Sequence, residues 1–191
     1  FRGDGKALSN AHFKTRIIQL RPAIYVYTNK PFLTMKHRTI IGVDPAFRQG
    51  GFWVAIVDRT EQSIVFRQFA SVLNFDRWLQ SPDAPAAALV CIENSNLQNV
   101  NFSKTGGARV IARKGRNVGT NQAASQLAVE AARYKYGPAS VVELSPLEKG
   151  AKWTSRQFQA VLKQECLTVY NLRDNQDARD AAKVAFIGES K

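Results

Sequence analysis

From Arg38 onward the chain alternates short apolar runs with polar turn signals, and the runs predict an ordered set of elements. Thr39-Ile40-Ile41-Gly42-Val43-Asp44 is rich in β-branched residues and meets the turn pair Asp44-Pro45, so a first strand is expected to close at Asp44. Gly51 to Val57 predicts a second strand and Ser63 to Phe69 a third, and the short spacing between them predicts antiparallel neighbours. Asn74 to Leu79 predicts a short helix. Ala87 to Glu93 is an unbroken apolar run, as expected of a strand buried on both faces. Residues 94–117 are rich in Asn, Gly and Ser and include Gly106-Gly107, which predicts a long loop.

The second half of the chain continues in strand–helix alternation. Ala123 to Tyr134 predicts a helix stopped at Gly137. Val141 to Leu144 predicts a fifth strand ending at Ser145-Pro146. Thr154 with Gln157 forms a capping-box signal for a helix to about Lys163. Leu167 to Leu172 reads as a short strand or a linker, and Asp174 or Asn175 as the cap of a last helix from Gln176 to Ile187. Three strands followed by this alternation predict an α/β fold, a mixed five-stranded sheet flanked by helices.

Composition changes this picture in two ways. Lys and Arg number 27 against 15 Asp and Glu, a formal charge of +12, which favours a polyanionic partner through counterion release and points to nucleic acid. The excess is uneven. Residues 1–34 carry Arg2, Lys6, Lys14, Arg16, Arg21 and Lys30 against Asp4 alone, and Met35, the one methionine, directly precedes the first strand. This segment reads as a basic extension or as a leader outside the working protein, with 35–191 as the domain. The stretch from Asn94 to Val129 holds no acid, while Lys104, Arg109, Arg113, Lys114 and Arg116 fall within it, so the predicted loop is a candidate DNA contact. The apolar content of 45% suits a domain with a real core, and no apolar run of membrane-spanning length occurs. Cys91 and Cys166 have no Cys or His neighbours at ligand spacing, which argues against a zinc site and suits a reducing cytoplasm.

With acids scarce, their placement is informative. Asp44 and Glu93 stand at predicted strand ends, and Asp177 and Asp180 lie three apart on one face of the last helix. Carboxylates at neighbouring strand ends can converge over one sheet edge, and a helix packed there can add two more. Such an oxygen-rich cluster suits hard divalent cations. Two ions about 3.5–4 Å apart could activate water and stabilise the leaving oxygen of a phosphodiester. Each piece also has a plainer reading. Asp44 before Pro45 can be a turn residue, Glu93 can simply mark a strand end, and Asp177 and Asp180 can pair locally with Arg179 and Lys183 on a solvated face.

Four motifs carry a family resemblance. Ile41-Gly42-Val43-Asp44-Pro45, then Arg48 and Gly51-Phe52, resembles the first hairpin of the RuvC family of Holliday-junction resolvases. Cys91-Ile92-Glu93 resembles its central acidic strand, and Val141-Val142-Glu143-Leu144-Ser145-Pro146 with Lys149 its fifth strand and the segment after it. Asp177-Ala178-Arg179-Asp180-Ala181-Ala182 resembles its closing helix, so the match runs in order through residues 38–187. The resemblance implies an RNase H-like fold and a homodimeric, cytoplasmic endonuclease that nicks four-way DNA junctions with Mg2+, or Mn2+ in its place. It makes Asp44, Glu93, Asp177 and Asp180 the metal-binding catalytic carboxylates and puts Lys149 and Arg156 near the scissile phosphate. Arg48 and Lys152 join the candidate DNA contacts.

The chain departs from the family at Ala46, where Gly is usual, at Asn96, where an aromatic is common, and in the longer basic stretch after Glu93. Phe102 is a candidate to stack on an unpaired base in place of that aromatic, or to pack within its own segment. The rival readings are an RNase H-fold nuclease acting on flaps or RNA–DNA hybrids, an actin-like ATP-binding protein, and a non-catalytic DNA-binding module.

Overall fold

The computed structural model describes residues 38–48, 51–98, 107–170 and 175–191, without the side chains of 46–48. The segment 1–34, Phe102 and Lys104 lie outside the described residues, as does the side chain of Arg48. One mixed sheet holds six strands: β1 (Thr39–Arg48), β2 (Gly51–Asp58), β3 (Ser63–Phe69), β4 (Leu89–Glu93), β5 (Val141–Leu144) and β6 (Thr168–Tyr170). Their order is β5-β4-β1-β2-β3-β6. β2 runs antiparallel to β1 and β3, while β1–β4, β4–β5 and β3–β6 pair parallel. The expected five strands become six because 168–170, within the stretch read as a short strand or a linker, pairs with the outer edge of β3.

Alternation along the strands serves two cores, since successive side chains point to opposite faces. Ile40, Trp53, Ala55, Val57, Ile64, Phe66, Cys91 and Leu144 face one way. There they meet helices α4 (Ser155–Gln164) and α5 (Gln176–Glu189) through Phe158, Leu162 and the small residues Ala178, Ala181, Ala182 and Ala185. Ile41, Val43, Phe52, Val54, Phe69, Val90 and Ile92 face the other way. They meet α1 (Val72–Leu79) and α2 (Ala108–Tyr136) through Phe75, Trp78, Leu79, Ala128, Val129 and Ala132. Among the described residues no helix is long and apolar enough to cross a membrane.

Several boundaries follow the local signals. Ser71 caps α1, Thr154 and Gln157 form the reciprocal box that opens α4, and Asn175 caps α5. Gly137, at φ 82° and ψ 155°, takes a positive-φ conformation open to glycine, and α2 ends there. Two expectations fail. β1 does not stop at Asp44-Pro45. Its pairing with β2 shifts register between Asp44 and Arg48 and resumes at Arg48–Gly51, so the proline, which has no N–H to donate, sits in an irregular stretch of strand. The predicted 94–117 loop is also largely replaced by helix. α2 begins at Ala108, which puts Arg109, Arg113, Lys114 and Arg116 on a helix. Gly115 and Gly119 disfavour helix by about 1 kcal/mol each against Ala. The helix nevertheless runs through both, and the half-buried positions Ile111, Gly115, Val118 and Gln122 lead at steps of four and three to buried Ser125, Val129 and Ala132 in its second half.

α5 packs on the sheet at very close range. A Cβ on Gly42 would lie 2.2 Å from the Ala181 carbonyl oxygen and 2.7 Å from the Ala185 Cβ, and a Cβ on Gly188 would lie 2.3 Å from Cys91 Sγ. The obstacle at Gly42 is helix backbone, which has no rotamer to change. Gly42→Ala is therefore expected to push α5 off β1 and lower stability by about 1–3 kcal/mol or more. Urea unfolding checks this, and a midpoint within error of wild type would show that the helix can retreat freely.

Candidate functional site

The site forms where the parallel pairing of β1, β4 and β5 ends. β1 and β4 pair as far as Val43–Ile92, so Asp44 and Glu93 occupy the next step side by side. β5 pairs Leu144 with Glu93 and then gives way to α3 (Pro146–Lys149), opened by a Ser145–Glu148 capping box and closed by Gly150. That single turn brings Lys149 back over the strand ends. α5, seated on Gly42, contributes Asp180, the residue before Ala181.

The four side chains meet. Lys149 Nζ donates to Asp44 Oδ2 at 2.9 Å, pairs with Glu93 Oε2, and lies 3.9 Å from Asp180 Oδ2. Lys152 approaches Asp180 Oδ2 from the rim at 3.5 Å. Asp44, Lys149 and Asp180 are buried, while the Lys152 side chain is half exposed at 52%. Gln176 donates to Asp180 Oδ1 at 2.7 Å and fixes that carboxylate from behind.

Three carboxylates facing one buried ammonium leave the cluster overcharged. Burial first, and the adjacent Asp44 next, push the Glu93 carboxyl above its ordinary pKa, with Lys149 opposing. Burial alone would lower the Lys149 ammonium, but Asp44 and Glu93 outweigh it and hold it charged. Glu93 Oε2 touches Lys149 without the alignment of a hydrogen bond.

Among the described residues no three carboxylates converge on a common point at metal-ligand spacing; the ammonium of Lys149 stands between them. The donor set nevertheless suits a hard divalent cation. It is oxygen only, and it retains unbalanced negative charge even with Lys149 and Lys152 counted.

The strand end after Glu93 is held firmly. Asn94 is buried, donates to Glu143, and accepts from the Asn96 backbone at 2.9 Å; Arg133 donates to the other Glu143 oxygen. Asn96 Nδ2 reaches the Gln122 carbonyl at 2.9 Å and the Ser95 N–H reaches Ser125 Oγ at 3.3 Å. The acidic site is thereby joined to the middle of α2.

The other expected residues are placed as follows. Asp177 is half-buried in the first turn of α5. Arg156 is exposed in the first turn of α4, away from the cluster's contacts. Arg109, Arg113 and Arg116 recur at i, i+4 and i+7 on the exposed half of α2, on the face opposite its half-buried stripe, with Lys114 between. Arg179 and Lys183 do not lie on a solvated face: Lys183 is buried and donates to the Ala151 carbonyl, and Arg179 donates to the Trp153 carbonyl at 3.3 Å. Sequence reasoning missed these two roles. The available signal was a lysine on the alanine-rich stripe that α5 buries.

Comparison with protein-family models, with curated proteins and with solved structures finds no match for this chain.

The raised Glu93 pKa has a definite sign for stability. The folded chain holds that proton more tightly than the unfolded chain, so this contribution is present below the ordinary Glu range and lost as pH rises through the raised value. Glu93→Gln is expected to raise the melting midpoint in chelator at neutral pH and to do so less at pH 4. A lowered midpoint at neutral pH would mean that attraction to Lys149 outweighs burial.

Proposed function

We propose that this chain is a divalent-metal-dependent endonuclease of RNase H-like fold that hydrolyses phosphodiesters in branched DNA, with the four-way junction as the substrate implied by its resemblance to the RuvC family. The observation that carries the reading is the meeting of Asp44, Glu93 and Asp180, from two strands and the last helix, around one ammonium at the ends of parallel strands. Ligand sites of open α/β sheets lie outside the carboxyl ends of the strands. The trio β1–β3, the parallel pair β4–β5 beside β1, and a last helix returning across β1 resemble an RNase H-like layout.

Asp44, Glu93 and Asp180, with Asp177 one turn along α5, would hold Mg2+ or Mn2+, which supplies Lewis acidity and charge neutralisation at the phosphodiester. The protein's own residues do the remaining work. Asp44 and Asp180 are buried and fixed, which keeps the acidic set preorganised. Lys152, half exposed at the rim, is the cation an incoming phosphate meets first, and Lys149 balances charge beneath it. The arginine face of α2 lies along an exposed helix joined to Glu93 through Asn96 and Ser95, and would hold the DNA backbone while the acidic end cuts. A pair of such chains would suit the two-fold symmetry of a four-way junction.

Asp44→Asn keeps shape and removes a charge from the acidic set. Losing about 4 kcal/mol of transition-state stabilisation slows cleavage roughly a thousandfold, while junction affinity is expected to persist. Single-turnover cleavage of a synthetic four-way junction with Mg2+, beside a linear duplex, a flap and an RNA–DNA hybrid, is the test. Near-normal cleavage by the variant would remove Asp44 from the active site, and preference for the flap or hybrid would reassign the substrate.

Replacing Arg109, Arg113 and Arg116 together with Ala is expected to weaken junction binding and flatten its salt dependence by up to about 3 in log–log slope. These side chains are exposed, so the melting midpoint should hold. An unchanged slope across a salt titration would place the DNA elsewhere.

A further inference from the structure

The segment 150–153 connects Lys149 at the end of α3 to Thr154, the cap of α4, and it carries Lys152. Two of its carbonyls are held from α5. Lys183 Nζ donates to the Ala151 oxygen, and Arg179 Nε donates to the Trp153 oxygen at 3.3 Å. These carbonyls belong to the residues on either side of Lys152, so the backbone is pinned before and after it. The Trp153 ring adds a third restraint, with the Lys183 ammonium 5.4 Å from its centroid and Phe158 and Phe186 packed against it.

The same helix face also holds the acid. Gln176 donates to Asp180 Oδ1, and the Gln176 oxygen accepts from Arg179 at 3.0 Å. The spacing of Gln176, Arg179, Asp180 and Lys183 places all four on adjoining turns of one face. Asp180 and the backbone that carries Lys152 are therefore fixed by one hydrogen-bonded set, and the Lys152 ammonium stands 3.5 Å from Asp180 Oδ2. Lys149 is buried, whereas the Lys152 side chain is 52% exposed and can be reached by a ligand from solvent.

Packing alone does not account for Lys183. Its neighbours on the buried stripe are Ala181, Ala182, Val184 and Ala185, and an apolar side chain would fill the space without the cost of desolvating an ammonium. Its ammonium donates to one backbone carbonyl and faces one ring, both in the segment that carries Lys152, and it is also attracted by Asp180.

We propose that Lys183 and Arg179 are positioning residues that clamp the 150–153 backbone so that Lys152 is presented at the mouth of the acidic site, where its ammonium binds a non-bridging oxygen of the phosphodiester to be cut. The inference rests on the nuclease reading and adds the residues that set its phosphate contact. A lysine is a point charge on a flexible stem, so its value as a phosphate ligand depends on where its backbone is held. Displacement of a positioning group by about 1 Å can cost on the order of a hundredfold in rate.

The test uses the full chain and four proteins: wild type, Lys183→Met, Lys152→Ala and the double variant. Lys183→Met keeps the aliphatic length and removes the donor. Single-turnover cleavage of a labelled synthetic four-way junction is read with Mg2+, junction affinity without it, and amide exchange over 150–154 by mass spectrometry. Lys183→Met is expected to speed exchange in that segment and slow cleavage roughly tenfold, with affinity within about twofold of wild type because the α2 contacts persist. Lys152→Ala is expected to slow cleavage to a similar degree, and the double variant to be no slower than Lys152→Ala alone, since the clamp acts only through Lys152. Should Lys183→Met fail to fold, Lys183→Leu takes its place in the same cycle. Multiplying losses in the double variant, or unchanged exchange over 150–154, would overturn the clamp while leaving a wild-type enzyme that cuts junctions. A wild type that cuts no branched, flap or hybrid substrate would instead bring down the nuclease reading, and this inference with it.

Discussion

A residue without a side chain on β1 lets α5 sit so close to the sheet that its backbone occupies the space a Cβ at Gly42 would need. Gly188 does the same over Cys91 near the other end of the helix. Along the same face, Ala178, Ala181, Ala182 and Ala185 bury the helix against strands that it could not approach with larger side chains. Asp180 precedes the alanine that touches Gly42, so its reach to the end of β1 follows from helix seating. Interiors pack at crystal-like density, and a shift of the helix would be felt at the acid directly.

Once the acids are brought together, electrostatics governs the rest. Asp44, Glu93 and Asp180 would repel one another in a poorly solvated pocket. The fold answers with Lys149, returned over the strand ends by the one-turn helix α3, and with Lys152 at the rim. The balance is incomplete, as the upward push on the Glu93 pKa indicates. Breaking a buried ion pair by removing one partner is far more costly than the pair's net worth, so acids and lysines have become mutually dependent. Lys183 and Arg179 extend that dependence to the backbone that carries Lys152.

Binding and chemistry occupy different parts of the chain. The exposed cations stand on the first half of α2, which has no acid before Glu130, while the acids are gathered at the sheet edge. Asn94, Ser95 and Asn96 bridge the two through hydrogen bonds to Glu143, Gln122 and Ser125. A helix of 29 residues extends about 43 Å at 1.5 Å per residue, so it can follow a nucleic-acid backbone well beyond the site itself.

Much of this was legible along the chain, because short-range rules write themselves into short stretches. Alternation marked β2 and β3, the unbroken apolar run marked β4, and Thr154 with Gln157 and Asn175 marked two helix starts. Asp44, Glu93 and Asp180 stood out as scarce acids in a basic chain. Local signals also misled. Asp44-Pro45 ended no strand because pairing with β2 resumes at Arg48, and the glycines at 115 and 119 broke no helix, since α2 runs through both from Ala108 to Tyr136. The pairing of 168–170 with β3, the ammonium among the acids and the clamp on 150–153 were decided only by tertiary structure. The sequence by itself determined most of the strands and helices and which residues are charged. Which charges meet depends on how closely distant segments approach, and that was decided at places such as Gly42, where a missing methyl group sets the position of a helix far along the chain.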